Sequence, residues 1–173
     1  MDRKSIVQLS RIRLTHVQSA DVYGVQLSII AEGHRGNLWA NAQAVYAAIT
    51  GEAIARYEEL EDECQIAEVI DDCTEGLAIC LDTQRDLPEE ERLSDASREE
   101  LLSALFEIWK FGQDYGGVDT DVVDTIASNV TNDERKMVEG WLQQEIHANQ
   151  GSNRRNQGLE SFLVKLRDAR GTA

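Results

Sequence analysis

Proline is almost missing from this chain. There is one, Pro88, in 173 residues, where average usage of about 5% would give about nine. Proline is the strongest helix breaker, so its scarcity favours a helical protein. Cysteine and histidine are scarce as well, with three of each. Three cysteines cannot form a fully paired disulfide framework. Cys64, Cys73 and Cys80 stand nine and seven residues apart, not at the two-residue spacing of a metal-binding pair. A seven-residue step puts Cys73 and Cys80 on one helical face about 10 Å apart, too far for a disulfide or for two ligands of one zinc ion. They read as small buried hydrophobes. His16, His34 and His147 are far apart and fit no H-E-x-x-H pattern.

Long apolar runs are lacking too. None approaches the roughly 18 to 20 residues that span a bilayer. The charged start, MDRKSIVQLSRIRLTH, has no apolar core behind it and does not read as a signal peptide. A cytoplasmic location with reduced thiols is expected. The phosphate-binding patterns G-x-x-x-x-G-K-[ST] and G-x-G-x-x-G and the nucleophile elbow G-x-S-x-G are absent. Their absence lowers an enzyme reading without removing it, and no cofactor is expected.

What the chain has in excess is acid: 32 Asp and Glu against 17 Lys and Arg, net −15. Hydrophobic residues at 42% are too many for an intrinsically disordered chain. The charge is uneven. Residues 1–36 carry five bases and three acids, net +2; residues 37–125 carry five bases and 23 acids, net −18; residues 126–173 carry seven bases and six acids, net +1. Phosphate contact needs Lys and Arg, so direct nucleic-acid binding is not expected.

Apolar residues at three- and four-residue steps predict about seven helices. Arg3 to Val17 carries Ile6, Leu9, Leu14 and Val17 beside basic residues, and Asp21 to Ala31 fits a helix or a strand. The clearest helix runs through Leu38, Ala42, Val45, Ile49, Ala53, Arg56 and Leu60, with a weak point at Thr50-Gly51. Ile66, Ile70, Cys73, Leu77 and Cys80 form a narrow seam. Residues 83–96 hold the proline and read as a loop. Ser97-Arg-Glu-Glu100 fits a capping box ahead of Leu101, Leu102, Leu105, Phe106, Ile108 and Trp109, a helix broken at Phe111-Gly112 and Tyr115-Gly116-Gly117. Asp121 to Val130 is a short helix. Thr131-Asn-Asp-Glu134 is a second capping box, opening a helix with Met137, Val138, Trp141, Leu142 and Ile146. A polar loop containing Arg154 and Arg155 leads to a last helix with Leu159, Phe162, Leu163 and Leu166.

The expected fold is therefore all-α: antiparallel helices in a bundle or a short helical-repeat-like stack. One domain spans residues 1–173, with a sub-boundary near 83–96. The expected core is Leu38, Trp39, Val45, Ile49, Ile70, Leu77, Leu102, Leu105, Trp109, Val138, Trp141 and Phe162.

Two acidic clusters are candidate sites. Asp114, Asp119, Asp121 and Asp124 lie on a glycine-containing stretch, the kind of oxygen-rich loop that holds a divalent cation. Their spacing fails the EF-hand pattern, and Asp119 or Asp121 reads more simply as a helix N-cap. Glu58, Glu59, Glu61, Asp62 and Glu63 read as a solvated helix end, a divalent site or a contact for a basic partner, a contact that Asp71 and Asp72 would extend. Arg154 and Arg155 fit surface pairing or an anion.

The stretch Ile108-Trp-Lys-Phe-Gly-Gln-Asp-Tyr-Gly-Gly117, then Thr131-Asn-Asp-Glu-Arg-Lys-Met-Val-Glu-Gly-Trp141, then Arg154-Arg155 through Phe162-Leu163 resembles a helical region of bacterial proteins that carry a SWIM-type zinc finger. Residues Ile49 to Leu81 are similar to the preceding helix pair of that region. The finger itself, two cysteines one residue apart followed by Cys-x-His, is absent here, so zinc binding does not carry over. The resemblance implies an all-helical, repeat-like module. Three functions stay open: a non-enzymatic interaction module whose acidic middle surface meets a basic protein; a nucleic-acid-linked accessory that acts through a basic DNA-binding partner; and a divalent-metal-dependent enzyme using residues 114–124.

Overall fold

Ala42, Val45, Ile49 and Ala53 recur along one face, and the first helix forms around them. The structure is a computed structural model. It describes residues 38–55, 57, 63–115, 122–149 and 153–169, with the backbone alone for 38, 39, 41, 63–66 and 153–155. The helices expected over Arg3–Val17 and Asp21–Ala31 lie outside these residues. Six helices are described: α1 (Leu38–Ala55), α2 (Glu63–Asp82), α3 (Asp95–Tyr115), α4 (Val122–Asn129), α5 (Asn132–Ala148) and α6 (Asn153–Asp168). No strand occurs among the described residues, and the fold is all-α as the periodicity predicts.

Most helices pack on neighbours one or two places along the chain. α1 contacts α2 and α3, α2 contacts α3 and α4, α4 contacts α3 and α6, and α5 contacts α6. Between α3 and α5 the partners are Arg98 with Glu134, Phe106 with Trp141, and Lys110 with Glu145. Their numbers rise together, so these two helices run in the same direction. Between α5 and α6 the order reverses: Arg135 donates to the Leu166 carbonyl and Asn156 to that of Asn149. The result is two layers, α1–α3–α5 over α2–α4–α6, the arrangement of stacked helical hairpins.

The core follows the helical stripes. Val45, Ile49, Ile70, Leu77, Leu102, Leu105, Trp109, Val138 and Phe162 are all at most 5% exposed. Cys73 and Cys80 are buried among them, and burial pushes the Cys80 thiol up to about 12. Trp141 departs from expectation: it is only partly buried, packed against the core by its ring contact with Phe106. Leu38 and Trp39 have side chains outside the described residues.

Four local expectations are corrected. α1 runs unbroken through Thr50-Gly51, and α3 through Gly112. α3 gains that length because Phe111 is buried and stacks on Tyr115 and against Tyr57, which outweighs the weak propensity of one glycine. α3 also starts a turn earlier than the Ser97 box. Its N-cap is Ser94, whose hydroxyl accepts from Ser97 N at 3.3 Å while its carbonyl accepts from Arg98 N at 2.9 Å. Finally, Arg154 and Arg155 lie in the first turn of α6, not in a loop.

The 83–96 connection holds two 3-10 turns, Thr83–Arg85 and Glu89–Glu91. Gln84, 4% exposed, ties it down. Its amide donates to the Cys80 carbonyl at 2.8 Å and accepts from Leu93 N at 2.7 Å. Leu93 is buried, so the core continues through the connection.

Candidate functional site

The acids singled out in the sequence do not gather in space. Asp114 is exposed in the last turn of α3. Asp124 lies on α4, where Lys165 Nζ from α6 holds its two carboxylate oxygens at 2.8 and 3.0 Å. That pairing gives Asp124 a counter-charge from within the chain. Asp119 and Asp121 lie outside the described residues. Among the described residues no three Cys, His, Asp or Glu side chains come together as a metal site. Of the second cluster, Glu58, Glu59, Glu61 and Asp62 lie outside the described residues, as does the side chain of Glu63. Asp71 is half-buried and Asp72 exposed on α2. No helix among the described residues is long and apolar enough to cross a membrane.

A different site forms between α1 and α3. α1 presents Ala47, Thr50, Gly51, Ile54 and Ala55 there, and α3 presents Ala96, Glu99, Glu100, Ser103, Ala104 and Glu107. Residues at steps of three and four share a face of a helix, and the two sets are such faces. Trp141 of α5 closes one side. Together they bound an open groove of about 630 Å³. Small residues leave the space: a Cβ added at Gly51 would meet nothing within 4 Å.

The groove is apolar along its walls and acidic along one edge. Glu99 and Glu107 are exposed and Glu100 is half-buried. Thr50 in its lining is 1% exposed, and its Oγ1 has no hydrogen-bond partner among the described residues. Thr74, by contrast, bonds back to the Ile70 carbonyl at 2.6 Å, and Thr83 to that of Ile79 at 2.9 Å. Beside the groove Lys110 bridges Glu107 at 2.7 Å and Glu145 at 3.1 Å, and it lies 5.3 Å from the Phe106 ring centre. Burial alone would lower the Lys110 pKa; its bonds to Glu107 and Glu145 outweigh burial and hold it above the usual lysine value. Lys110 is thus a fixed cation that joins α3 to α5.

The bases of the acidic stretch are already engaged. Arg98 binds Glu134 at 2.6 Å and Lys110 reaches Glu145, both acids from beyond residue 125. Arg85 donates to the Ser128 carbonyl and Arg92 to that of Leu87 at 2.8 Å. The fifth base, Arg56, lies outside the described residues. The exposed carboxylates Glu68, Asp72, Glu75, Glu89, Glu90 and Glu99 therefore meet little counter-charge from their own segment.

The sequence reading missed the groove. Its lining comes from three helices far apart in the chain, and apolar spacing alone places Trp141 in the core. The available signal was on α3, where Glu99, Ser103 and Glu107 recur every four residues opposite the apolar stripe. No family model, curated protein or solved structure matches the chain.

Proposed function

We propose that this protein is a non-enzymatic interaction module whose acidic surface engages a protein partner with a basic surface. One observation carries the reading: residues 37–125 are net −18, and two bases of that stretch, Arg98 and Lys110, bind Glu134 and Glu145, acids from outside it. An uncompensated acidic surface attracts basic partners over long range, raises their association rate and makes binding salt-dependent. Stacked helical hairpins also provide extended surfaces of the kind that repeat proteins use for binding. The same charge argues against direct contact with nucleic acid.

The test is affinity purification with the full chain at low salt, followed by identification and titration of what is retained. The expected result is a basic protein whose affinity falls steeply as salt rises. Recovery of no partner, or of one whose binding ignores salt, sinks the proposal.

A further inference from the structure

We propose that the groove between α1 and α3 seats a basic amphipathic helix of the partner protein. This rests on the interaction-module reading.

The occupant's conformation follows from the walls. Most of each wall, Ala47 to Gly51 of α1 and Glu99 to Glu107 of α3, is helix interior, whose backbone N–H and C=O groups are already paired within α1 and α3. An extended segment laid in the groove would find no backbone partners there, and unpaired buried backbone groups are costly. A helix satisfies its own backbone and brings only side chains. The dimensions agree. Gly51 is flanked one turn either way by Ala47 and Ala55, so a helix can approach α1 closely. The α3 wall spans Ala96 to Glu107, about 16 Å of helix axis, or about three turns.

The occupant's chemistry follows from the lining. Ile54, Ala104 and Trp141 offer apolar surface for one stripe of residues. Glu99, Glu100 and Glu107 lie along the α3 edge, where Lys or Arg flanking that stripe would meet them. Glu99 has no ion-pair partner among the described residues. Trp141 is only partly buried, which leaves surface on which the stem of a Lys or the plane of an Arg can lie. Thr50, 1% exposed, holds a hydroxyl with no hydrogen-bond partner among the described residues. A site that combines open apolar walls, a carboxylate edge and an unpaired buried hydroxyl is complementary to a helix that is apolar on one side and basic on its flanks.

The experiment measures binding of a peptide of about 14 residues, long enough to span the groove as a helix. It carries Leu at helical spacing with Lys and Arg on the flanks, and a scrambled peptide of the same composition is the control. The full chain is compared with three variants. Gly51→Leu fills the groove from a position with open space around it. E99Q/E100Q/E107Q removes the carboxylate edge. E89Q/E90Q/E91Q removes the same charge from the 3-10 turn, which does not line the groove.

The expected result is that the patterned peptide binds, gains helical dichroism, and loses about tenfold or more in affinity with Gly51→Leu and with the groove triple variant, while the turn variant changes affinity far less. Salt-dependent binding that is equal across all variants overturns the groove assignment but leaves the acidic module standing. No salt-dependent binding of either peptide removes both. Cross-links that place residues 3–17 of the same chain, or a second copy, in the groove also overturn the proposal.

Discussion

Glycine shows how one atom's surroundings decide the sign of a substitution. At Gly76 on α2 an added Cβ would lie 2.6 Å from two ring carbons of Tyr46. The ring, packed against the core, would have to leave its place. Gly76→Ala is expected to destabilise the chain by about 1–3 kcal/mol, the usual cost of overpacking. At Gly51 the same methyl meets nothing, and only helix propensity changes. Gly51→Ala is expected to stabilise by about 0.5–1 kcal/mol. Urea unfolding of the two variants checks both, and equal effects would refute the packing argument. Thr50 makes a third case. Its buried hydroxyl has no partner among the described residues, and Val has the same branched shape without the polar atom. Thr50→Val is expected to raise stability by about 1 kcal/mol. A loss of stability would mean that the hydroxyl is satisfied after all.

Helix ends carry the clearest link from sequence to structure. Thr131 and Glu134 form the capping box that their spacing predicts: Thr131 Oγ1 accepts from Glu134 N at 3.3 Å, and Glu134 Oε2 accepts from Thr131 N at 2.8 Å. What the spacing could not reveal is that Glu134 has a second task, holding Arg98 from α3 at 2.6 Å. The same rule misplaced the start of α3. Ser97-x-x-Glu100 has the box's glutamate, whereas the true cap, Ser94, has serine at that place, and the choice between them is made by where the chain leaves the Gln84-bound connection. Burial pushes Glu134 up, but its bonds to Arg98 and Thr131 outweigh this and hold it below the ordinary value. A carboxylate with a depressed folded pKa gives stability that is present above its unfolded value, about 4.3, and is lost as pH falls through the folded value. Glu134→Gln keeps a box-competent side chain and removes the charge. With side chains 14% and 15% exposed, the expected cost at pH 7 is about 1–2 kcal/mol, less than for a fully buried pair. The difference from the parent chain should shrink as the pH is taken below about 4. Thermal unfolding from pH 3 to 7 measures it, and a pH-independent difference would assign the effect to capping alone.

At the scale of the whole molecule, the order of the helices was legible and their neighbours were not. Periodicity located the buried faces of Val45, Ile70, Leu105, Val138 and Phe162 because a helix's inward residues repeat along the chain. The α1–α3 groove depends on which helix lies beside which, and that is set by contacts such as Phe106 with Trp141 and Trp109 with Phe162, which no local pattern encodes. The charge has a global consequence that needs no partner. A chain at net −15 repels itself in the folded state, and salt shortens the range of that repulsion from about 30 Å at 0.01 M to about 10 Å at 0.1 M. Salt also weakens the ion pairs, but Arg98–Glu134 is sheltered and loses least, whereas an exposed pair such as Lys136–Asp133 contributes little to begin with. Repulsion should therefore dominate. The unfolding midpoint at pH 7 is expected to rise between 10 and 100 mM salt, by about 2–4 °C for each kcal/mol of repulsion relieved. The rise should be smaller in E89Q/E90Q/E91Q, which removes three exposed acids of one turn. A midpoint that falls with salt would show that the acids are compensated locally, and the attraction proposed for a basic partner would lose its physical basis.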